Sequence, residues 1–94
     1  MSRPKFAARR DIAEAGVVEA LKAIGCDVIC IGEPVDLLVG FQARNYLIEV
    51  KTPGESYKGT KKQQDWIKGW RGQVRTVETP EEAIALVMNA YRPA

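Results

Sequence analysis

Three charged residues interrupt two apolar segments in the middle of the chain. Asp36 opens the run VDLLVGF, and Glu49 and Lys51 lie in the run NYLIEVK. Carboxylates are hard oxygen ligands that suit Mg²⁺, which also keeps several waters that a phosphate can displace. A lysine beside such an ion can orient or polarise the attacking water and neutralise charge on a phosphodiester. These residue types therefore point to metal-assisted phosphodiester chemistry.

The two apolar runs are typical of β-strands, and the short QAR connection between them predicts a hairpin. Pairing of 36–41 with 45–51 would bring Asp36 close to Glu49 and Lys51. On a strand, Glu49 and Lys51 share one face, about 6.6 Å apart along the chain, and Tyr46, Ile48 and Val50 point to the other face. Burying both charges is costly unless they are paired, metal-bound or open to a cleft. The alternative is an edge strand with one solvated face.

A first helix is predicted from the segment ARRDIAEAGVVEALKAIG. Glu14 precedes Val17 by three residues and Leu21 by seven, so it falls on the apolar side of this helix. Glu19 falls on the polar side, where a solvated glutamate is expected. Glu14 is therefore a candidate site residue. The alternative for Glu14 is a first-turn residue that interacts only with the helix dipole.

The remaining segments complete the order α-β-β-β-α-β-α. CDVICIG and QVRTVE predict strands, and TPGESYKG predicts a loop. TKKQQDWIKGW predicts a helix with its aromatic residues on one side and a capping box formed by Thr60 and Gln63. TPEEAIALVMNAY predicts a last helix capped by Thr79. We expect one α/β domain that spans 1–94.

The composition excludes several classes of site. The chain has no histidine, so Ser/His and Cys/His catalysis are excluded and a zinc site within one chain is not expected. Alternation along one strand places Cys26 and Cys30 on the same face, a poor geometry for a disulfide. No apolar run reaches the roughly 20 residues of a membrane span, and no signal-peptide core is present, so a cytoplasmic protein is expected. At 94 residues, a homodimer would add stability and binding area.

Asp36 followed by Glu49-Val50-Lys51, after a helix with an acidic residue, resembles the PD-(D/E)XK nuclease superfamily. More closely, the chain resembles the small phage proteins of the virus-type replication-repair nuclease (VRR-NUC) family. The resemblance runs from RRDIAE through VDLLVG, LIEVK and TKKQQDWI to VETPEEAIAL. It implies a restriction-endonuclease-like fold, with a mixed four-stranded sheet flanked by helices.

The resemblance also implies roles for single residues. Lys51 would assist the nucleophile, and Gln63 would position water or DNA. The family's TPxQ segment aligns with 60–63, which favours Gln63 over Gln64, although capping alone would also explain Gln63. The implied ligands of Mg²⁺ or Mn²⁺ are Asp36, Glu49, Val50 and Glu14.

Two positions depart from the family pattern. Val35 separates Pro34 from Asp36, where the family has Pro and Asp adjacent. Ala13 precedes Glu14, where related sequences often have a polar residue. Because proline mainly shapes the turn, its shift does not count against catalysis.

The expected function is metal-dependent cleavage of DNA. Members of the family resemble Holliday-junction resolvases, so branched DNA, a junction or a flap, is a candidate substrate, and a two-fold dimer could present two active sites. A phage-encoded protein would act in the host cytoplasm. Basic residues that cluster near the acidic centre would bind backbone phosphates: Arg9, Arg10, Lys58, Lys61 and Lys62.

Two alternatives come from other classes of protein. The first is a nucleic-acid-binding or assembly module that keeps the nuclease fold without turnover. The intact Asp36, Glu49 and Lys51 argue against it, because a decayed site would be free to lose one of them. The second is an antitoxin-like or regulatory interaction domain, whose polar residues would serve a partner surface.

Overall fold

The computed structural model describes the main chain of residues 5–54 and 59–90, with side chains from 12 to 54 and from 59 to 89. The order α-β-β-β-α-β-α is confirmed. The elements are α1 (Lys5–Ala23), β1 (Asp27–Cys30), β2 (Leu37–Phe41), β3 (Arg44–Val50), α2 (Lys61–Gly69), β4 (Arg75–Val77) and α3 (Pro80–Ala90).

The four strands form one mixed sheet in the order β1-β2-β3-β4. β1 and β2 are antiparallel, as are β2 and β3, whereas β4 runs parallel to β3. The prediction of an α/β protein with a mixed four-stranded sheet and three helices is confirmed. Because β3 lies between β2 and β4, Glu49 is on an interior strand. The alternative of an edge strand with one solvated face is wrong.

One face of the sheet forms the core against α1 and α3. Alternate residues of β3 point to this face, and Tyr46, Ile48 and Val50 are all buried there, as predicted. The helices contribute Val17, Leu21, Ala83 and Val87 to the same cluster. The Tyr46 hydroxyl donates to the Val87 carbonyl at 3.4 Å, which satisfies the buried phenol and ties α3 to the sheet.

The hairpin between β2 and β3 is tighter than predicted. Its connection has two residues, Gln42 and Ala43, because Arg44 already belongs to β3. Their φ angles are 54° and 62°, so both lie in the left-handed region required by a type I′ turn. Asn-Gly is the favoured pair for such a turn. Neither residue here is of the favoured type, which explains why the sequence located the hairpin but not the length of its turn.

Helix α1 begins at Lys5, earlier than the predicted segment. Glu14 is therefore the tenth residue of the helix, and the alternative that it is a first-turn charge is wrong. Thr60 and Thr79 cap the other two helices, as predicted, whereas the full capping box is not shown, because the Gln63 side chain donates to the Pro34 carbonyl. The Gln63 N–H donates to Thr60 Oγ1 at 3.1 Å, and the Glu82 N–H donates to Thr79 Oγ1 at 3.1 Å. In the part of the chain that the structure describes, no helix combines the length and apolar character needed to cross a membrane.

Candidate functional site

Asp36 and Glu49 face each other at the ends of two neighbouring strands. Leu37 pairs with Ile48 across the antiparallel strands. Asp36, which precedes Leu37, therefore lies opposite Glu49, which follows Ile48. Both acids are buried, each with only 8% of its surface exposed. The Asp36 N–H donates to Glu49 Oε1 at 3.2 Å, and the Val50 N–H donates to Asp36 Oδ2 at 2.8 Å. Each carboxylate therefore accepts a hydrogen bond from the main chain of the opposite strand, and both are held in fixed orientations.

The main chain of Asp36 is also held on the side of β1. The N–H groups of Ile31 and Gly32 both donate to the Asp36 carbonyl, at 2.9 and 3.2 Å. Gly32 has φ 78°, a left-handed conformation that lets the chain turn back after β1. Asp36 is thus positioned by contacts to β1 on one side and β3 on the other.

Lys51 follows the last residue of β3 and is more exposed than the two acids. Its N–H donates to the Val77 carbonyl at 2.8 Å, which continues the pairing with β4. Its ammonium lies 3.6 Å from the Glu78 carboxylate, and the two side chains are 33% and 39% exposed. Glu78 was not among the residues predicted for the site. Its signal was a carboxylate at the end of a predicted strand, the same signal that singled out Glu49.

Thr52 follows Lys51 and was also missed. Its hydroxyl oxygen is buried and has no hydrogen-bond partner among the described residues. Such a group normally finds a partner in the protein, in water or in a ligand. The threonine hydroxyl is therefore a buried polar atom one residue beyond Lys51 in the sequence.

Gln63 reaches the segment that leads into Asp36. Its side-chain amide donates to the Pro34 carbonyl at 3.3 Å, while its main-chain N–H serves the Thr60 cap. The amide of Gln64 instead donates to the Gly59 carbonyl on the exposed side of the helix. Of the two glutamines, Gln63 therefore contacts the segment next to Asp36, and its side chain is not engaged in the cap. Its role in the site stays a prediction.

Glu14 lies half-buried on α1, and Glu19 is exposed, as the helix phasing predicts. The Cys30 thiol donates a hydrogen bond to the Glu14 carboxylate. Burial, and then the charge and hydrogen bond of Glu14, raise the pKa of Cys30; Asp36 raises this pKa further and Lys22 lowers it. The pKa of Cys30 therefore depends on the charges of both Glu14 and Asp36. An open groove of about 460 Å³ runs along this side, lined by Glu14, Ala15, Val18, Glu19, Lys22 and Cys30.

The predicted phosphate-binding residues are described only in part. Lys61 and Lys62 are exposed in the first turn of α2, next to Gln63, and Lys61 lies 3.1 Å from the Asp65 carboxylate. The side chains of Arg9 and Arg10, and the whole of Lys58, lie outside the described residues.

The acids of the site suit an ion that needs few protein ligands. Among the residues with described side chains, no group of three or more Asp, Glu, Cys or His is arranged to hold a metal. Mg²⁺ is commonly held by one or two carboxylates together with water and phosphate oxygens, so the Asp36–Glu49 pair fits it. The assignments of Glu14 and Val50 as ligands stay predictions.

Comparison of the chain with protein-family models, with curated proteins and with solved structures gave no match.

Proposed function

We propose that the chain is a metal-dependent endonuclease of the PD-(D/E)XK type, related to the VRR-NUC family, which hydrolyses phosphodiester bonds in DNA. The observation that supports this most is the buried pair of Asp36 and Glu49, fixed at adjacent strand ends, with Lys51 two residues further on. Buried carboxylates side by side are costly, and a cation between them offsets that cost.

Each residue takes a role that its position supports. Asp36 and Glu49 hold Mg²⁺ or Mn²⁺, which when bound polarises a phosphoryl oxygen as a Lewis acid. Lys51 reaches from the end of β3 toward solvent, where its ammonium neutralises charge that develops on the phosphate. Gln63 holds the Asp36 segment through Pro34 and positions water or DNA beside it. Glu14 orients the groups around the pair from α1.

DNA is the substrate that the charges of the site favour. Lys61 and Lys62 extend from the start of α2. The expectation that Arg9, Arg10 and Lys58 also bind phosphates comes from the sequence alone. Contacts to phosphates give salt-dependent binding that does not read the base sequence. A homodimer would place two such sites on a branched substrate with two-fold symmetry.

A second candidate is a nucleic-acid-binding or assembly module that does not turn over. It is favoured by the hydrogen bonds within the acid pair, because Asp36 and Glu49 each accept a main-chain N–H and so join β2 to β3 without any metal. In that case the pair would be structural, and the basic residues alone would bind nucleic acid.

Cleavage assays separate the two candidates. The protein is incubated with branched, single-stranded and supercoiled DNA in Mg²⁺, in Mn²⁺ and in EDTA. The nuclease proposal predicts cutting of at least one substrate with a metal and none in EDTA. Binding of the same substrates without cutting in either metal would support the module and overturn the nuclease.

A further inference from the structure

The aromatic side of α2 is not part of the core. Trp66 and Trp70 stack with ring centroids 4.7 Å apart and an interplanar angle of 23°. No residue of α2 is buried, and Trp70 at the end of the helix is 44% exposed. A stacked indole pair at the surface is a large apolar area that a soluble domain normally covers or uses for binding.

The position of the Trp70 ring is constrained by the chain that follows it. The Trp70 N–H donates to the Ile67 carbonyl at 3.4 Å, which caps the helix. A Cβ at Gly72 would come within 2.7 Å of the Trp70 indole nitrogen, so the main chain passes close to the ring at this point. The Trp70 indole therefore lies next to both Trp66 and the main chain at Gly72.

The charges around the pair indicate the kind of partner. Residues 59–77 contain five basic side chains against one acidic one, a net charge of +4, whereas the whole chain carries +2. The rest of the chain is therefore net negative. All five basic residues are exposed, and the single acid, Asp65, already pairs with Lys61. A polyanion with flat apolar groups is complementary to this surface. Its flat groups can stack on the exposed indole rings, and its phosphates can bind the basic side chains.

We propose that the Trp66–Trp70 pair is a stacking platform for an unpaired base of single-stranded DNA. The inference rests on the proposed function in that it names the substrate class of the same site. Bases in a duplex are already stacked on each other, so only a single strand, a flap or a branch point offers a free base face. Trp70 lies seven residues beyond Gln63, about 10 Å along the helix at 1.5 Å per residue. That distance is about three nucleotides of a stacked strand at 3.4 Å each.

The test uses the fact that the chain has two tryptophans and both belong to the pair, so fluorescence excited at a wavelength that its three tyrosines do not absorb reports on the platform alone. The protein is titrated in EDTA with a short thymidine oligonucleotide and with a blunt duplex, and fluorescence quenching is read beside the anisotropy of labelled DNA. We expect the single strand to quench the fluorescence strongly and the duplex to do so weakly at equal saturation. Equal quenching by both would overturn the platform.

Variants then separate stacking from apolar contact. Trp70→Ala and Trp70→Leu should weaken binding of the single strand roughly tenfold or more, because one base–aromatic stack contributes about that factor. Trp70→Tyr keeps an aromatic face and should stay within about threefold of the parent. Met88→Ala removes another exposed apolar side chain, on α3, and should change nothing. If Trp70→Leu binds like the parent, stacking is absent and the inference is wrong.

Two further outcomes keep this inference distinct from the proposed nuclease. Quenching and Trp70-dependent binding without cleavage in any metal would support the platform and overturn the nuclease. If Trp70→Ala binds and cleaves a flap at the same rate as the parent, the nuclease is supported and the platform is overturned. Sedimentation of the parent and of Trp70→Ala tests whether a second copy of the chain, and not DNA, covers the tryptophan pair. A dimer that is present in the parent and lost in the variant would overturn the platform.

Discussion

The main-chain N–H of Val50 donates to the Asp36 carboxylate at 2.8 Å, although 14 residues separate the two in the sequence. This bond and its counterpart, from the Asp36 N–H to Glu49 at 3.2 Å, cross the boundary between β2 and β3 at the point where both strands end. The acids therefore have two separable contributions, one to the fold and one to chemistry. Substitutions that keep or remove an acceptor oxygen distinguish them.

Asp36→Asn keeps a carbonyl oxygen that can accept from Val50, whereas Asp36→Ala leaves the buried N–H without its partner. We expect Asp36→Ala to lower the free energy of unfolding by about 1–3 kcal/mol, and Asp36→Asn to lower it by distinctly less. Urea denaturation measures both. Asp65→Ala, which removes an exposed carboxylate paired only with Lys61, is the control and should cost about 0.5 kcal/mol or less. Equal losses for Asn and Ala would show that the hydrogen bond to Val50 contributes nothing.

Lys51→Ala should abolish cleavage while most DNA affinity remains. One lysine contributes little to an interface with many phosphates, but it acts directly on charge in the transition state. Stability should change by no more than about 1 kcal/mol, since the ion pair with Glu78 is partly exposed. Binding and cutting are measured separately, in EDTA and in Mg²⁺, with Lys22→Ala as the matched control. Parallel losses of binding and cutting would make Lys51 a phosphate anchor instead.

Glu14→Gln should lower cleavage or raise the Mg²⁺ concentration that cleavage requires, and Glu19→Gln should do neither. Glu14 is half-buried beside Cys30 and Glu19 is exposed on the same helix, so the pair is a matched comparison. Cleavage rate against Mg²⁺ concentration measures the effect. Unchanged curves for both variants would remove Glu14 from the site.

The contact between Glu14 and Cys30 has a readout that does not depend on activity. The negative charge and the acceptor of Glu14 disfavour the thiolate and raise the pKa of Cys30, so Glu14→Gln should lower this pKa. More thiolate is then present at about pH 8, and alkylation should be severalfold faster than in the parent. Cys30→Ser should remove the reaction, because Cys26 is only 6% exposed. An unchanged rate in Glu14→Gln would contradict the contact.

The hairpin turn predicts a stabilising substitution. Ala43 has φ 62°, a left-handed conformation that costs a residue with a Cβ about 1–2 kcal/mol and glycine nothing. Ala43→Gly should therefore raise the free energy of unfolding by about 1 kcal/mol. Ala85→Gly, the same change at an exposed position inside α3, should lower it by about 1 kcal/mol. Thermal or urea denaturation of both variants checks the opposite signs.

Local patterns predicted the elements well because the signals were local. Thr60 and Thr79 cap the helices that they were expected to cap, and alternation along NYLIEVK correctly separated Tyr46 and Ile48 from Glu49. The position of β3 in the sheet was not local. It depends on the parallel pairing with β4 across the intervening α2, and no short stretch of sequence encodes such a pairing.

The site was predicted as residues, not as contacts. The spacing brought Asp36 and Glu49 together, but the hydrogen bonds to the opposite main chains depend on the register of β2 and β3. The register follows from the two-residue turn at Gln42 and Ala43. Neither residue is of a type that predicts such a turn. The exposure of Trp70 could not be predicted either, because an apolar helical side predicts burial, whereas the described elements leave this ring 44% exposed.

Cleavage rate as a function of Mg²⁺ concentration, measured on the preferred DNA substrate for the parent and Glu49→Gln, tests the paired acids most directly. Glu81→Gln, an exposed first-turn acid of α3, is the control. A neutral amide is a much poorer ligand for Mg²⁺ than a carboxylate. We predict saturable, EDTA-sensitive cleavage by the parent and by Glu81→Gln, and loss of cleavage in Glu49→Gln at every metal concentration. Cleavage by Glu49→Gln that follows the parent's curve would contradict a metal centre built on Asp36 and Glu49.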